Sequence, residues 1–308
     1  MTQRMVAVTG AGGFIGAHAC RYLSTRGYAL RALLGPPDWR KAGGEDLAYA
    51  ACFDILDVGL LIELFSGIET VVHLAGPPSV KSSFDEPAQF VRTHVEGTAA
   101  VLEAARKTAV KRVVYISSAE VYQPSAGGRV TEDHPLEARS PYGAAKIGAE
   151  QMVRAFSYAY GLEAVILRPF SIYGPGMSAQ SLVSHVVSQL YESGPLRVAD
   201  LRPVRDYCFV EDVARAIERA MVAPARRVEV LNIGSGIGTS VAELAAAALA
   251  LAGSPRVVRE DIAERRPGDS EIFRLVADIR GAQRLLGWVP EVTLAAGLRE
   301  MIRAVAQT

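Results

Sequence analysis

Cysteine is scarce in this chain and lacks any arrangement. Cys20, Cys52 and Cys208 are scattered through 308 residues with no CxxC pair, which argues against a disulfide framework and a structural zinc site. The five histidines are dispersed as well, without an HExxH, so no metal centre is expected. A surplus of one charge is also missing, since 33 basic residues balance 33 acidic ones. Neither nucleic acid nor a membrane surface is therefore an expected partner. Long apolar runs are lacking too. The longest, Leu244 to Ala252, is alanine-rich and too short to span a bilayer. A strand pattern starts almost at the first residue and leaves no room for a signal peptide. A soluble cytoplasmic protein is expected.

What the chain does have is apolar content and alternation. Half of its residues are apolar, and a chain of this length can bury about three quarters of its unfolded surface. Short apolar runs at 6–9, 29–34, 48–53, 71–75, 112–117 and 164–167 alternate with helical patterns at 14–26, 58–65, 87–108 and 141–160. Such alternation predicts an α/β fold, a parallel sheet covered on both faces, with ligands beyond the carboxyl ends of the strands. After Pro169 the regularity fails. The spacing predicts a turn at 171–176, a helix at 181–192, extended chain at 195–200, a strand at 228–233 that returns to the sheet, and a closing helix at 294–305. The expected division is 1–168 plus about 205–237 for a dinucleotide-binding domain. About 169–204 plus 238–308 form a smaller, substrate-binding C-terminal lobe.

Three stretches carry the chemistry. Val6-Ala7-Val8-Thr9 runs into Gly10-Ala11-Gly12-Gly13-Phe14-Ile15-Gly16, a strand, a tight turn and a helix start. Glycines there let backbone approach a pyrophosphate, and the helix N-terminus favours its charge. Ser140-Pro141-Tyr142-Gly143-Ala144-Ala145-Lys146 opens a helix, with Ser140 as cap and Pro141 in the first turn. Tyr142 and Lys146 then stand four apart on one face. A phenol near pKa 10 is a poor base. An ammonium at ~4 Å, in an effective dielectric of about 20, contributes roughly 4 kcal/mol and would lower that pKa by about three. Tyr142 could then take a hydroxyl proton while hydride leaves the same carbon. Ser117 and Ser118, at the end of the 112–117 run, offer a hydroxyl to the same oxygen.

Together these motifs resemble the extended short-chain dehydrogenase/reductase family, the nucleotide-sugar epimerases and dehydratases, along nearly the whole chain. Thr9–Gly16 is similar to its TGxxGFIG turn. Val72-His73-Leu74-Ala75-Gly76 is similar to its VxHLAA strand end, and Tyr142 with Lys146 to YxxxK. Arg168-Pro169-Phe170 resembles RxFN, Tyr173-Gly174-Pro175-Gly176 resembles YGPG, Arg205-Asp206-Tyr207 resembles RDY, and Arg266-Pro267-Gly268-Asp269 resembles RPGD. The resemblance implies a Rossmann-type doubly wound sheet and bound NAD, with NADP also open. It implies that Gly10, Gly13, Phe14, Ile15, Gly16, Asp54, Ile55, Leu74, Ala75, Gly76, Ser117, Tyr142, Lys146 and Pro169 meet the cofactor. For the substrate it implies Ser79, Ser118, Tyr142, Ser171, Arg205, Arg266 and Asp269, the two arginines gripping a diphosphate. It further implies a homodimer through the two long helices.

Departures from the pattern narrow the reaction. Leu34 stands where relatives often carry an Asp for the adenosine ribose, followed by Asp38, Arg40 and Lys41, so the choice between NAD and NADP stays open. Ser171 replaces an Asn, and His94 stands where the family usually has Asn. The dehydratases use an Asp-Glu pair where this chain has Ala119-Glu120, and alanine has no proton to give. The expectation is a nucleotide-sugar 4-epimerase working through a transient 4-keto sugar, with Tyr142, Lys146, Ser118 and Glu120 at the catalytic centre. Alternatives are a dehydratase or decarboxylase using Glu120, a 4-keto reductase consuming NAD(P)H, and a non-enzymatic dinucleotide sensor.

Overall fold

The computed structural model describes residues 5–35, 50–108, 110–125, 127–224, 227–261 and 270–306. Its strands are β1 Met5–Thr9, β2 Ala29–Leu34, β3 Ala50–Cys52, β4 Thr70–His73, β5 Arg112–Ile116, β6 Glu163–Pro169 and β7 Ser171–Tyr173. They continue as β8 Leu196–Val198, β9 Val204–Phe209, β10 Val228–Ile233, β11 Gly238–Ser240, β12 Val258–Glu260 and β13 Arg274–Leu275. The first six α-helices are α1 Phe14–Thr25, α2 Val58–Leu64, α3 Val80–Asp85, α4 Pro87–Val91, α5 Gly97–Lys107 and α6 Pro141–Tyr160. The rest are α7 Leu182–Ser188, α8 Val210–Val222, α9 Val241–Leu251, α10 Arg280–Leu286 and α11 Leu294–Ala306.

Seven strands pair in parallel in the order β10-β6-β5-β4-β1-β2-β3. The order reverses at β1, so a crevice opens between the carboxyl ends of β1 and β4, where doubly wound sheets bind their ligands. Both faces are apolar because both are covered. Val6, Val8, Val72, Val114 and Leu167 pack toward Ala19, Leu23, Val213 and Ile217 of α1 and α8. Ala7, Val71, Val113 and Ile166 pack toward Leu61, Val101, Ala149 and Val153 of α2, α5 and α6. The alternation of neighbouring residues between the two clusters is the two-residue period of a strand.

Beyond β6 the chain builds the lobe. β9 pairs with β7, β11 and β13 in a second sheet, and β8 pairs with β12. Tyr173, Val186, Leu196, Phe209, Leu244 and Leu298 form its core. Three sequence expectations change here. Residues 171–176 are not wholly a turn, since Ser171–Tyr173 is a strand paired in register with Tyr207–Phe209. Residues 205–209, grouped from sequence with 205–237, pair in the second sheet, while α8 after them packs on α1 and β10 joins the parallel sheet as expected. The helix expected over 87–108 is interrupted by a π segment at Arg92–Glu96.

Candidate active site

The glycine turn is built by contact. Gly10 has φ +71°, and a Cβ there would sit 2.8 Å from the Ala75 amide nitrogen. A Cβ on Gly16 would sit 2.1 Å from the Gly10 carbonyl oxygen. These two positions bring β1, the end of β4 and α1 together as no larger residue would permit. Gly13 is the N-cap of α1 and supplies no side-chain cap, so the first amides of a three-turn helix remain for an anion. Phe14 and Ile15 follow, half-buried. Phe14 stacks edge-on to His18 at 5.5 Å, and His18 donates from Nε2 to the Pro175 carbonyl at 2.9 Å. The YGPG turn is thereby tied to α1.

The end of β4 is fixed by a buried chain. His73 bridges Thr9 Oγ1 at 2.7 Å and Thr98 Oγ1 at 3.0 Å. Burial, and then the Lys146 ammonium, push its pKa down to about 3, so the imidazole is a neutral connector. Leu74, Ala75 and Gly76 follow, half-buried. Asp54 is exposed and accepts from the Leu56 amide at 3.0 Å, while Ile55 packs on Gly97. Ser79 caps α3 by accepting from the Ser82 amide at 3.1 Å.

α6 carries the reactive pair. Ser140 accepts from the Gly143 amide at 3.1 Å, Pro141 follows, and Gly161 ends the helix at φ 73°. Gly143 packs on the Ser118–Glu120 turn so closely that a Cβ would lie 2.5 Å from the Glu120 carbonyl oxygen. That approach brings the Tyr142 phenol close enough for the Ser118 hydroxyl to favour its ionised form. Ser118 also accepts from the Glu120 amide at 3.1 Å. Ala119 is buried among Val121, Tyr122, Val130 and Phe170, an apolar position.

The electrostatics correct the sequence reading. Tyr142 was expected to have its pKa lowered by Lys146. Instead burial pushes the phenol up to about 12, with the Ser118 hydroxyl opposing and the Glu120 carboxylate reinforcing. Lys146 donates to the Ile116 carbonyl at 2.8 Å and lies 5.8 Å from the Tyr142 ring centroid. Burial, opposed by Glu150, lowers its own pKa to about 7. Desolvation is the largest cause of both shifts.

Beneath this pair lies a network that sequence reasoning missed. Glu150, one turn beyond Lys146, binds Arg168 through two oxygens at 2.8 and 2.6 Å, with both side chains essentially sealed from solvent. Ser117 donates to Glu150 at 2.5 Å, so its hydroxyl is spent inside the network. Arg168 also donates to Tyr122, which donates to Asn232 at 2.6 Å. The available signal was a second charged residue at four-residue spacing on the inner face of α6.

Pro169 closes β6, and Ser171 opens β7 opposite Tyr207. Arg205, two residues earlier on β9, pairs with Glu271 at 2.5 Å. Asp206 is buried and accepts from the amides of Ser235, Gly236 and Ala277, which locks β9 to the end of β10. Arg266 and Asp269, and Asp38, Arg40 and Lys41, lie outside the described residues. Among the described residues, no cluster of His, Cys, Asp or Glu could hold a metal ion, and no helix is long and apolar enough to cross a membrane.

A doubly wound sheet, an uncapped helix at a glycine turn, and a Ser-Tyr-Lys set beside it define a dinucleotide-dependent enzyme of the short-chain dehydrogenase/reductase type. The chain belongs to the NAD-dependent epimerase/dehydratase family, which residues 6–234 match. It is 31% identical to a putative UDP-glucose 4-epimerase of Methanocaldococcus jannaschii, over 97% of each chain. It is 33% identical to a dTDP-glucose 4,6-dehydratase of Streptomyces griseus, over 97% of this chain and 92% of the relative. A solved structure of MoeE5 in complex with UDP-glucose and NAD superposes with a TM-score of 0.88 at 31% identity, over 98% of both chains.

Proposed function

We propose that the protein is a nucleotide-sugar 4-epimerase that uses tightly held NAD. The observation that carries this reading is the close packing of α6 on the Ser118–Glu120 turn, which gathers Ser118, Tyr142 and Lys146 in one buried place, with apolar Ala119 where an elimination needs an acid. The turn fits the cofactor, because Gly10 and Gly16 leave no room for a Cβ and α1 opens without a side-chain cap. Bound NAD supplies the hydride acceptor, the returning hydride and a positive ring. Tyr142 holds and moves the proton of the sugar O4, Ser118 steadies that oxygen, and Lys146 orients the cofactor ribose from its seat on the Ile116 carbonyl. Arg205, with Arg266 and Asp269, meets the sugar nucleotide at the lobe, alongside Ser79 and Ser171. We assign the seven-stranded sheet to the dinucleotide and the lobe to the substrate. The same reading includes a homodimer through α4–α5 and α6, where Val91 and Tyr158 are exposed, and a cytoplasmic setting, with Cys20 and Cys208 as buried free thiols.

Tyr142→Phe is expected to lower interconversion of UDP-glucose and UDP-galactose, or of the sugar nucleotide found active in a UDP, dTDP, GDP and CDP screen, by about 10²–10⁴-fold. Cofactor content, read by absorbance and mass, should not change. Near-full turnover by the variant would sink the assignment. Glu120 supports a second reading, elimination, because its charge reaches Tyr142 and a dehydratase is among the relatives. Solvent deuterium incorporated at C5 of the product would favour it.

A further inference from the structure

Tyr142 has a neighbour that the mechanism above leaves unused. His94 stands in the π segment between α4 and α5, edge-on to the Tyr142 ring at 5.5 Å and 83°. Phe90 completes the cluster at 5.8 Å from His94 and 6.1 Å from Tyr142. The π segment is what makes this possible. Phe90, His94, Thr98 and Leu102 are all buried at strict four-residue spacing. In a straight α-helix each such step drifts by about 40° around the axis. One wide turn at 92–96 resets that drift, so His94 can face Tyr142 while Thr98 still reaches His73 at 3.0 Å. Single wide turns of this kind recur at functional sites.

The imidazole's tautomer follows from its partner. Nε2 lies 3.1 Å from the Pro77 carbonyl oxygen, which can only accept, so Nε2 carries the hydrogen. Burial, reinforced by the Lys146 ammonium, holds the ring well below its ordinary pKa. Nδ1 is then a bare acceptor. It is buried and has no hydrogen-bond partner, in a side chain only 2% exposed. Gly76 borders the same space, and a Cβ there would sit 2.5 Å from Nδ1. The Pro77 bond accounts for a nitrogen at Nε2, but packing does not call for one at Nδ1, where a carbon would fill the space without burying an unsatisfied lone pair.

We propose that His94 is a positioning residue for Tyr142, standing edge-on to the phenol and offering Nδ1 as acceptor to an O–H donor that arrives when the site is filled. The donor is a water or a hydroxyl of the bound molecules, and its hydrogen bond fixes the ring against which Tyr142 rests. This inference rests on the epimerase reading for its kinetic test but not for its spectroscopic one.

The experiment uses the holoprotein and the active sugar nucleotide. His94→Phe keeps a ring and removes both nitrogens, and His94→Asn restores a polar acceptor. Loss of the bond is expected to lower kcat of His94→Phe by about tenfold with KM within about threefold. His94→Asn should recover most of that loss. Nitrogen-15 spectra of the imidazole at pH 7 should show the neutral ring protonated at Nε2, with the Nδ1 resonance shifting on substrate addition. Wild-type kcat in His94→Phe, an Asn variant no better than Phe, or a hydrogen found on Nδ1 would each overturn the proposal. Wild-type protein that turns over no sugar nucleotide would remove the epimerase reading instead, and the tautomer measurement would still decide the placement of His94.

Discussion

Lys146 shows how burial changes what a residue type means. Four residues from Tyr142, an ammonium on a helix surface would be a fixed positive charge. Inside the site it is sealed from water, and its pKa falls to about 7. The consequence for stability has a definite sign. Between about pH 7 and the ordinary lysine value near 10.5, the unfolded chain holds a proton that the folded chain has released. Stability therefore rises with pH across that window, by at most about 1.4 kcal/mol per pH unit. In nucleotide-free protein, urea midpoints measured from pH 7.5 to 8.5, below the range where the buried Cys20 and Cys208 thiols oppose the effect, should climb for the wild type. They should climb less for Lys146→Met, which keeps the stem and loses the titrating group. Equal slopes for the two proteins would show that Lys146 remains charged in the fold. Tyr142 contributes with the opposite sign, since its pKa is raised to about 12. Its penalty begins only above pH 10, outside the measured range.

At the scale of elements, the site depends on how closely α6 approaches the turn after β5. Gly143 sets that distance, because a methyl there would lie 2.5 Å from a backbone oxygen of Glu120. Backbone cannot swing aside as a side chain would, so Gly143→Ala must push the first turn of α6 away from Ser118. Steady-state kinetics should show kcat reduced by about tenfold or more, since small misplacements of reacting groups are costly. The thermal midpoint should fall by only a few degrees, in keeping with about 1–3 kcal/mol of overpacking. An Ala variant with unchanged kcat would show that the separation of Tyr142 and Ser118 is not set here. The helix itself was legible in sequence, because Ser140 and Pro141 are local signals and the Tyr142–Lys146 spacing is periodic. Other elements were not. The π segment comes from the joint demands of Tyr142, His73 and Thr98, which are distant in sequence. β7 is only three residues long and exists because β9 lies beside it. Glu150 and Arg168 find each other across 18 positions and two elements, and no period links them. The direction of the Tyr142 pKa was missed for a different reason. Spacing gives proximity but not dielectric, and desolvation decided the outcome.

In the whole molecule, the two sheets are joined by one short crossing. β6 ends at Pro169, and β7 begins two residues later, already paired with β9. The strand carrying Arg205 is therefore anchored directly at the carboxyl edge of the parallel sheet, where Tyr142 and Ser118 also stand. Asp206 strengthens the joint by accepting from Ser235, Gly236 and Ala277. On the proposed reading Arg205 meets a phosphate of the sugar nucleotide and not the dinucleotide. Its present partner is Glu271, and both side chains are largely buried, so removing one partner costs stability. Arg205→Ala should thus lower the urea midpoint but leave the cofactor content close to wild type. Its KM for the sugar nucleotide should rise by about ten- to hundredfold, the worth of a charge-assisted hydrogen bond, with kcat changed far less. Loss of bound cofactor in this variant would place Arg205 on the dinucleotide side of the cleft. An unchanged KM would assign the diphosphate to other residues of the lobe.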